Sequence, residues 1–162
     1  MTTLSRRRLA LGAACLLALG PFLVGAASGQ RPGPAAGLSQ FEGKVVPLAD
    51  LVARAGGKLD ADAAPHWLAL VSTDGKAYPL VKDDGSRLFF KDRALLNRPM
   101  RLTGRLLPGS QLLRVLAVHS LIKGVPHEVY YWCDTCAIRR GEKNVCECCG
   151  GPMELREEPL RR

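Results

Sequence analysis

Between Phe41 and His119 the apolar residues come in short runs broken by turn residues. Trp67–Thr73 (WLALVST) stops at Asp74-Gly75, and Lys76–Lys82 (KAYPLVK) stops at Asp83-Asp84-Gly85. Ser86–Phe90 (SRLFF) follows. Asp and Gly tolerate the positive φ of tight hairpin turns, so these three runs predict a three-stranded antiparallel meander. Two further runs, Pro99–Leu107 and Gln111–His119, flank the turn signal Pro108-Gly109-Ser110. In the first, Arg101, Thr103 and Arg105 share one face and Met100, Leu102, Gly104 and Leu106 the other, the alternation of a half-buried strand. In the second both faces are largely apolar, which predicts a central strand. Gly43–Leu48 reads as a short strand with Pro47 at an edge or end. Ala49–Ala55 suits a helical turn or two, Gly56–Pro65 a loop, and Lys91–Asn97 a short helix.

This gives a mainly β chain of five to seven short strands with little helix. A meander, a short helix and a hairpin, spanning Phe41 to Lys123, resemble an OB-fold in element order. The resemblance implies a small OB-like antiparallel barrel over residues 41–125. A small β-sandwich has a similar strand count and is the alternative.

The first residues have a different pattern. A basic start without acids (MTTLSRRR) leads into an apolar run from Leu9 to Ala27 that ends in small residues. Residues 1–26 are read as an export signal cleaved after Ala26, with Ser28 a second candidate. Gly20-Pro21 interrupts the run, which disfavours a permanent membrane helix and leaves an uncleaved anchor as the alternative. Ser5-Arg6-Arg7-Arg8-Leu9 resembles the twin-arginine motif; a plain basic signal start is the other reading. The resemblance implies export of an already folded chain, to the periplasm or beyond. Cys15 lies within the apolar run and would leave with it. Residues 27–40, rich in Pro, Gly and Ala, read as a flexible tether.

Composition agrees with a globular module: 47% hydrophobic, 23% charged and only 6% aromatic, so the core is built mostly from Leu, Val and Ala. Arg6, Arg7 and Arg8 supply three of the net +8, leaving 20 basic against 15 acidic side chains, a net of +5. Four thiolates around Zn²⁺ would bring this near about +3. That surface is only mildly basic and gives no strong argument for nucleic acid as a partner, and export argues against one.

Five of the six cysteines fall between Cys133 and Cys149. Cys133-x₂-Cys136 and Cys146-x₂-Cys149 each bring two sulfurs to one point, and a hairpin turned near Gly141 would bring the pairs together. Tetrahedral Zn²⁺ needs four thiolates at about 2.3 Å. Tyr130–Leu155 looks like a zinc ribbon, or the related rubredoxin-type knuckle, and the ribbon is assigned to residues 126–162. Cys146–Gly150 (CECCG) matches a knuckle, whereas Ala137 stands where the first knuckle usually has glycine. The resemblance implies Cys133, Cys136, Cys146 and Cys149 as ligands. Cys148 is then a spare thiol or a substitute ligand. Disulfides are the alternative in an exported protein. Zinc is the expected metal, with iron the alternative and Cu(I) chemically admissible. Arg139, Arg140 and Lys143 are placed either to offset the anionic site or simply as a solvated loop. Tyr130, Tyr131 and Trp132 are expected to pack the ribbon on the barrel.

Nucleophile-elbow, zinc-protease, phosphate-loop and dinucleotide motifs are missing. His66, His119 and His127 are isolated and read as structural, His127 being the one candidate for an extra ligand. Asp83-Asp84 reads as turn chemistry. The expectation is an exported, non-enzymatic binding or assembly module with an unidentified envelope protein as partner. An iron electron carrier, a nucleic-acid binder using Arg101, Arg105, Arg139 and Arg140, and a metal-handling protein using Cys148 are the alternatives. Contact with the membrane is expected only through an uncleaved signal.

Overall fold

The computed structural model describes residues 37–160. The stretch read as an export signal, Cys15 and most of the stretch read as a tether lie outside the described residues. Among these, β1 (Ser39–Pro47), α1 (Leu48–Arg54), β2 (Leu68–Ser72), β3 (Ala77–Pro79), α2 (Arg87–Lys91), β4 (Pro99–Leu106), β5 (Leu113–Ile122), β6 (Val125–Cys133), β7 (Ile138–Arg140) and β8 (Glu154–Pro159) follow one another. Two 3₁₀ turns, Ala64–His66 and Arg93–Leu95, complete the set. No helix among the described residues is long and apolar enough to cross a membrane.

All eight strands belong to one sheet, mainly antiparallel, with the path β3-β2-β1-β4-β5-β6-β7 and β8 on the other side of β6. β1 begins at Ser39, inside the stretch read as tether, and serves two partners. Its first half pairs with β4 and its second half with β2. Gly43 sits at the crossover, where an added Cβ would lie 2.0 Å from the Val71 carbonyl oxygen. Glycine is required there because the neighbouring backbone occupies the side-chain position. A parallel bridge between Leu80 and Leu113, with the Val81 N–H donating to the Leu113 carbonyl at 3.0 Å, links the end of β3 to β5. The path β3-β2-β1-β4-β5 is thereby joined at its two ends.

The meander is present with different members: it is β1-β2-β3, and Ser86–Phe90 is not its third strand. That segment turns into α2 because the Ser86 and Arg87 N–H groups both reach back to the Asp83 carbonyl. Ser86 is fully buried and its hydroxyl bonds the Val81 carbonyl. Leu88 and Phe89 then enter the core side by side, which a helix permits and an alternating strand does not. The other hairpin is as expected, with β4 and β5 paired and a bulge between Thr103 and Gly104. β5 lies between β4 and β6, a central position that accords with its two apolar faces.

The larger core gathers Val45, Leu70, Phe89, Leu95, Met100, Leu102, Leu113 and Val115 between the sheet and α2. Val129 of β6 belongs to it, and Leu155 of β8 touches both this core and a smaller one around the cysteines. The two halves of the chain are therefore not separated by a break in pairing. β6 leaves the Lys123-Gly124 turn, pairs with β5, and runs on to Cys133.

Candidate metal centre

β6 ends in Cys133, and its alternation decides what surrounds the site. Tyr131 and Cys133 face inward and are buried, whereas Tyr130 and Trp132 share the opposite face. The chain then turns through Asp134-Thr135 to Cys136 and returns as β7, with Ile138 opposite Cys133. This turn is closed by the Ala137 N–H donating to the Cys133 carbonyl at 2.8 Å. Cys146–Gly150 repeats the same device, with the Gly150 N–H donating to the Cys146 carbonyl at 2.8 Å. The residue after the second cysteine is left-handed in both: φ is 52° at Ala137 and 70° at Gly150. Two copies of one turn thus face each other, one closed by alanine and the other by glycine.

Their arrangement differs from a single hairpin bent at Gly141. The second turn is pinched by the Val145–Pro152 bridge and by the Cys146 N–H donating to the Gly151 carbonyl at 2.8 Å. The chain then crosses to the far edge of β6 as β8, instead of pairing with β7. The nine residues between the pairs have already spent three on β7, so the second turn closes on itself.

The result brings together all four sequence candidates. The sulfurs of Cys133, Cys136, Cys146 and Cys149 lie within 4.8 Å of one another, and Cys133 Sγ is 3.6 Å from Cys149 Sγ. A tetrahedron of thiolates about 2.3 Å from a central Zn²⁺ has edges of about 3.8 Å, so the donor set fits such an ion. Four soft sulfurs also suit iron or Cu(I). All five cysteines here are free, and the four converge on one point instead of pairing off. Cys133 and Cys146 are buried, Cys136 is half-buried, and Cys149 is exposed. N–H groups of Cys149 and Cys148 point at the Cys146 sulfur and lower its pKa to about 6. Such donors favour the thiolate form that a metal requires.

Cys148 stays outside the four-sulfur group. It is exposed, and its thiol stands against that of Cys136, whose pKa is raised chiefly by this neighbour. His127 is not an additional ligand. It occupies the start of β6, its Nδ1 lies 2.8 Å from the Val125 carbonyl, and six strand residues place it about 20 Å from Cys133. His66 contacts Lys82 at 3.2 Å, and His119 lies between Arg101 and Glu128. Asp83 accepts from Arg114 at 3.1 Å while its carbonyl closes the turn into α2, as turn chemistry requires.

The basic residues beside the site are engaged with carboxylates. Arg139 pairs with Glu128 and covers the Tyr130 ring at 4.0 Å, Arg140 pairs with Glu147 at 2.8 Å, and Lys143 approaches Asp92 at 3.5 Å. Arg101 pairs with Glu42 at 2.7 Å, so of four arginines considered for nucleic acid only Arg105 has no ion pair among the described residues.

Tyr131 does tie the cysteine region to the rest. Its hydroxyl donates at 2.9 Å to Asp92, whose other oxygen caps the Ala94 N–H at 3.0 Å. Burial raises the Tyr131 pKa, and the Asp92 carboxylate raises it further. At Asp92, burial is outweighed by the Ala94 N–H, the Tyr131 hydroxyl and Lys143, and the carboxyl titrates below its usual range. Sequence reading missed this contact, although Tyr131 stands two residues before a ligand and so shares its face. No protein family, characterised protein or solved structure matches the chain, so the site rests on its own geometry.

Proposed function

We propose that this chain is an exported, non-enzymatic binding or assembly module of the cell envelope, an OB-type barrel stiffened by a Cys₄ zinc ribbon. The single observation that carries the reading is the convergence of four protein thiols within 4.8 Å. Four protein ligands complete a tetrahedron and leave no position for water or substrate, which is the mark of a structural site. Bound zinc would cross-link the turn after β6 to the second knuckle. Cys133 and Cys146 would hold it from the buried side and Cys136 and Cys149 from the open side. The strand circuit β1-β2-β3-β5-β4, returning to β1 with a helix between β3 and β4, supports the OB-type assignment. Export rests on the basic and apolar pattern of residues 1–26.

Elemental analysis and thiol titration on one sample of the envelope fraction test this. One zinc per chain with one titratable thiol, Cys148, is expected. A red protein containing iron would replace the reading with an electron carrier. Oxidised thiols without metal would refute it.

Cys148, exposed beside Cys136, favours metal handling as a second reading. An incoming thiol acceptor would then withdraw zinc within minutes from the wild type and far more slowly from Cys148→Ser.

A further inference from the structure

A cleft of about 420 Å³ lies where five segments meet: the end of β1 with the start of α1, the Ala64–His66 turn, β2, α2, and the chain from Arg93 to Asn97. Its walls are apolar, formed by Pro65, Leu68, Phe89, Phe90 and Leu96. That size and lining are those of a small-molecule site, where apolar walls supply affinity and a few polar groups supply orientation. No carboxylate lines it, and Arg93 is its one charged lining residue.

Arg54, Arg93 and Arg105 are the arginines without an ion pair among the described residues, and of these only Arg93 lines this cleft. Seven arginines among the described residues pair with carboxylates. Arg93 has neither an ion pair nor a side-chain hydrogen bond among them. Its base is nevertheless fixed: the preceding Asp92 is buried and held by Ala94 and Tyr131. At the other end of the same stretch the Asn97 N–H donates to the Val45 carbonyl at 2.8 Å. Lys82 adds a second cation on this side, its Nζ 5.0 Å from the centre of the Phe90 ring.

We propose that this cleft binds a small apolar carboxylate, a free acyl or aryl acid. Its hydrocarbon part packs against Phe89, Phe90 and Leu96, and its carboxylate meets the Arg93 guanidinium. A guanidinium fork matches a carboxylate in shape and charge, and an uncharged or cationic analogue forgoes that pairing. No cysteine lines the cleft, so the proposal does not rest on the metal.

The test uses the full chain as purified, with its metal content measured in every sample. Octanoate, octanol and octylammonium are titrated by calorimetry and by NMR. Octanoate is expected to bind saturably, and octylammonium at least about tenfold more weakly. Arg93→Gln is expected to weaken octanoate about tenfold while leaving octanol unchanged. Ala64→Trp, which fills the cleft, abolishes both, with metal content and melting point retained. Equal binding of octanoate and octylammonium, an unaltered Arg93→Gln titration, or no saturable binding at millimolar concentration would each overturn the proposal. So would displacement of octanoate by a lower concentration of a peptide ending in a free leucine carboxylate, since the occupant would then be a chain terminus.

Discussion

The two knuckle turns offer an internal experiment, because they share a backbone closure and carry alanine in one and glycine in the other at the left-handed position. Ala137 holds φ at 52° and Gly150 at 70°. An L-residue in the left-handed region costs about 1–2 kcal/mol, which glycine avoids. Glycine in turn loses more chain entropy on folding, which offsets about 0.4–1 kcal/mol. Ala137 is exposed, so its methyl group contributes little packing. Ala137→Gly should therefore stabilise the metal-loaded protein by about 0.5–1 kcal/mol. In a chain of this length that raises the melting temperature by about 1–4 °C.

Gly150→Ala is the reciprocal change. A Cβ built there meets nothing within 4 Å, so its expected cost of about 0.5–1 kcal/mol reports conformation alone. The φ applies only to the folded knuckle, so the same free energy should appear as metal affinity. Chelator competition should show zinc held about 2–5-fold more tightly by Ala137→Gly and about as much less tightly by Gly150→Ala. If Ala137→Gly is neutral or destabilising while Gly150→Ala behaves as stated, the first turn is not strained and the equivalence of the two knuckles is wrong.

Other perturbations separate the remaining contributions. Tyr131→Phe leaves buried Asp92 without its hydroxyl donor and should cost about 1–3 kcal/mol in urea unfolding; a change below about 0.3 kcal/mol would mean the hydrogen bond contributes nothing net. Burial opposes ionisation of Glu157, but its pair with Arg98 at 2.6 Å prevails and lowers the folded pKa. That contribution is present above the unfolded carboxyl range and lost as pH falls through the folded pKa. Glu157→Gln should therefore flatten the stability profile between about pH 5 and 3, and an unchanged slope would dismiss the pair. Cys148→Ser should retain one metal per chain, whereas Cys146→Ser should not. Equal losses would place Cys148 among the ligands.

Local chemistry was legible where it acts over a few residues. The C-x-x-C pairs named their four sulfurs because each turn is self-contained, and Asp74-Gly75 named its hairpin because the geometry needs a left-handed glycine, with φ of 82° at Gly75. Ser86–Phe90 misled because three adjacent apolar residues satisfy a buried strand and a buried helix alike; what settles it is Ser86 reaching back to Val81, a contact outside any short pattern. The continuity of the sheet across residue 125 was not legible for a related reason. Lys123-Gly124 is a tight turn with φ of 52° and 78°, and lysine gives no signal for it. Pairing of β5 with β6 then carries one sheet from β1–β5 into the cysteine site. Only tertiary contacts record that Tyr131, Asp92 and Arg98 hold the two together.

That continuity determines what metal removal should do. The small core at the site consists of Tyr131, Cys133, Cys146 and Met153, so half of its buried members are candidate ligands. Without metal, residues 134–153 retain few apolar contacts, too few to offset the entropy of ordering twenty residues at about 1–2 kcal/mol each. β6 is different: its first half pairs with β5, and Val129 lies in the larger core. Chelation should thus melt the knuckles and β7 while β1–β5 and the start of β6 stay folded. Hydrogen exchange reads this directly. Amides from Cys136 to Gly151 should lose protection on chelation, while those of Met100, Leu102 and Val115 keep it. Loss of protection throughout would show that the metal holds β1–β5 as well, and unchanged protection in the knuckles would show that it holds neither.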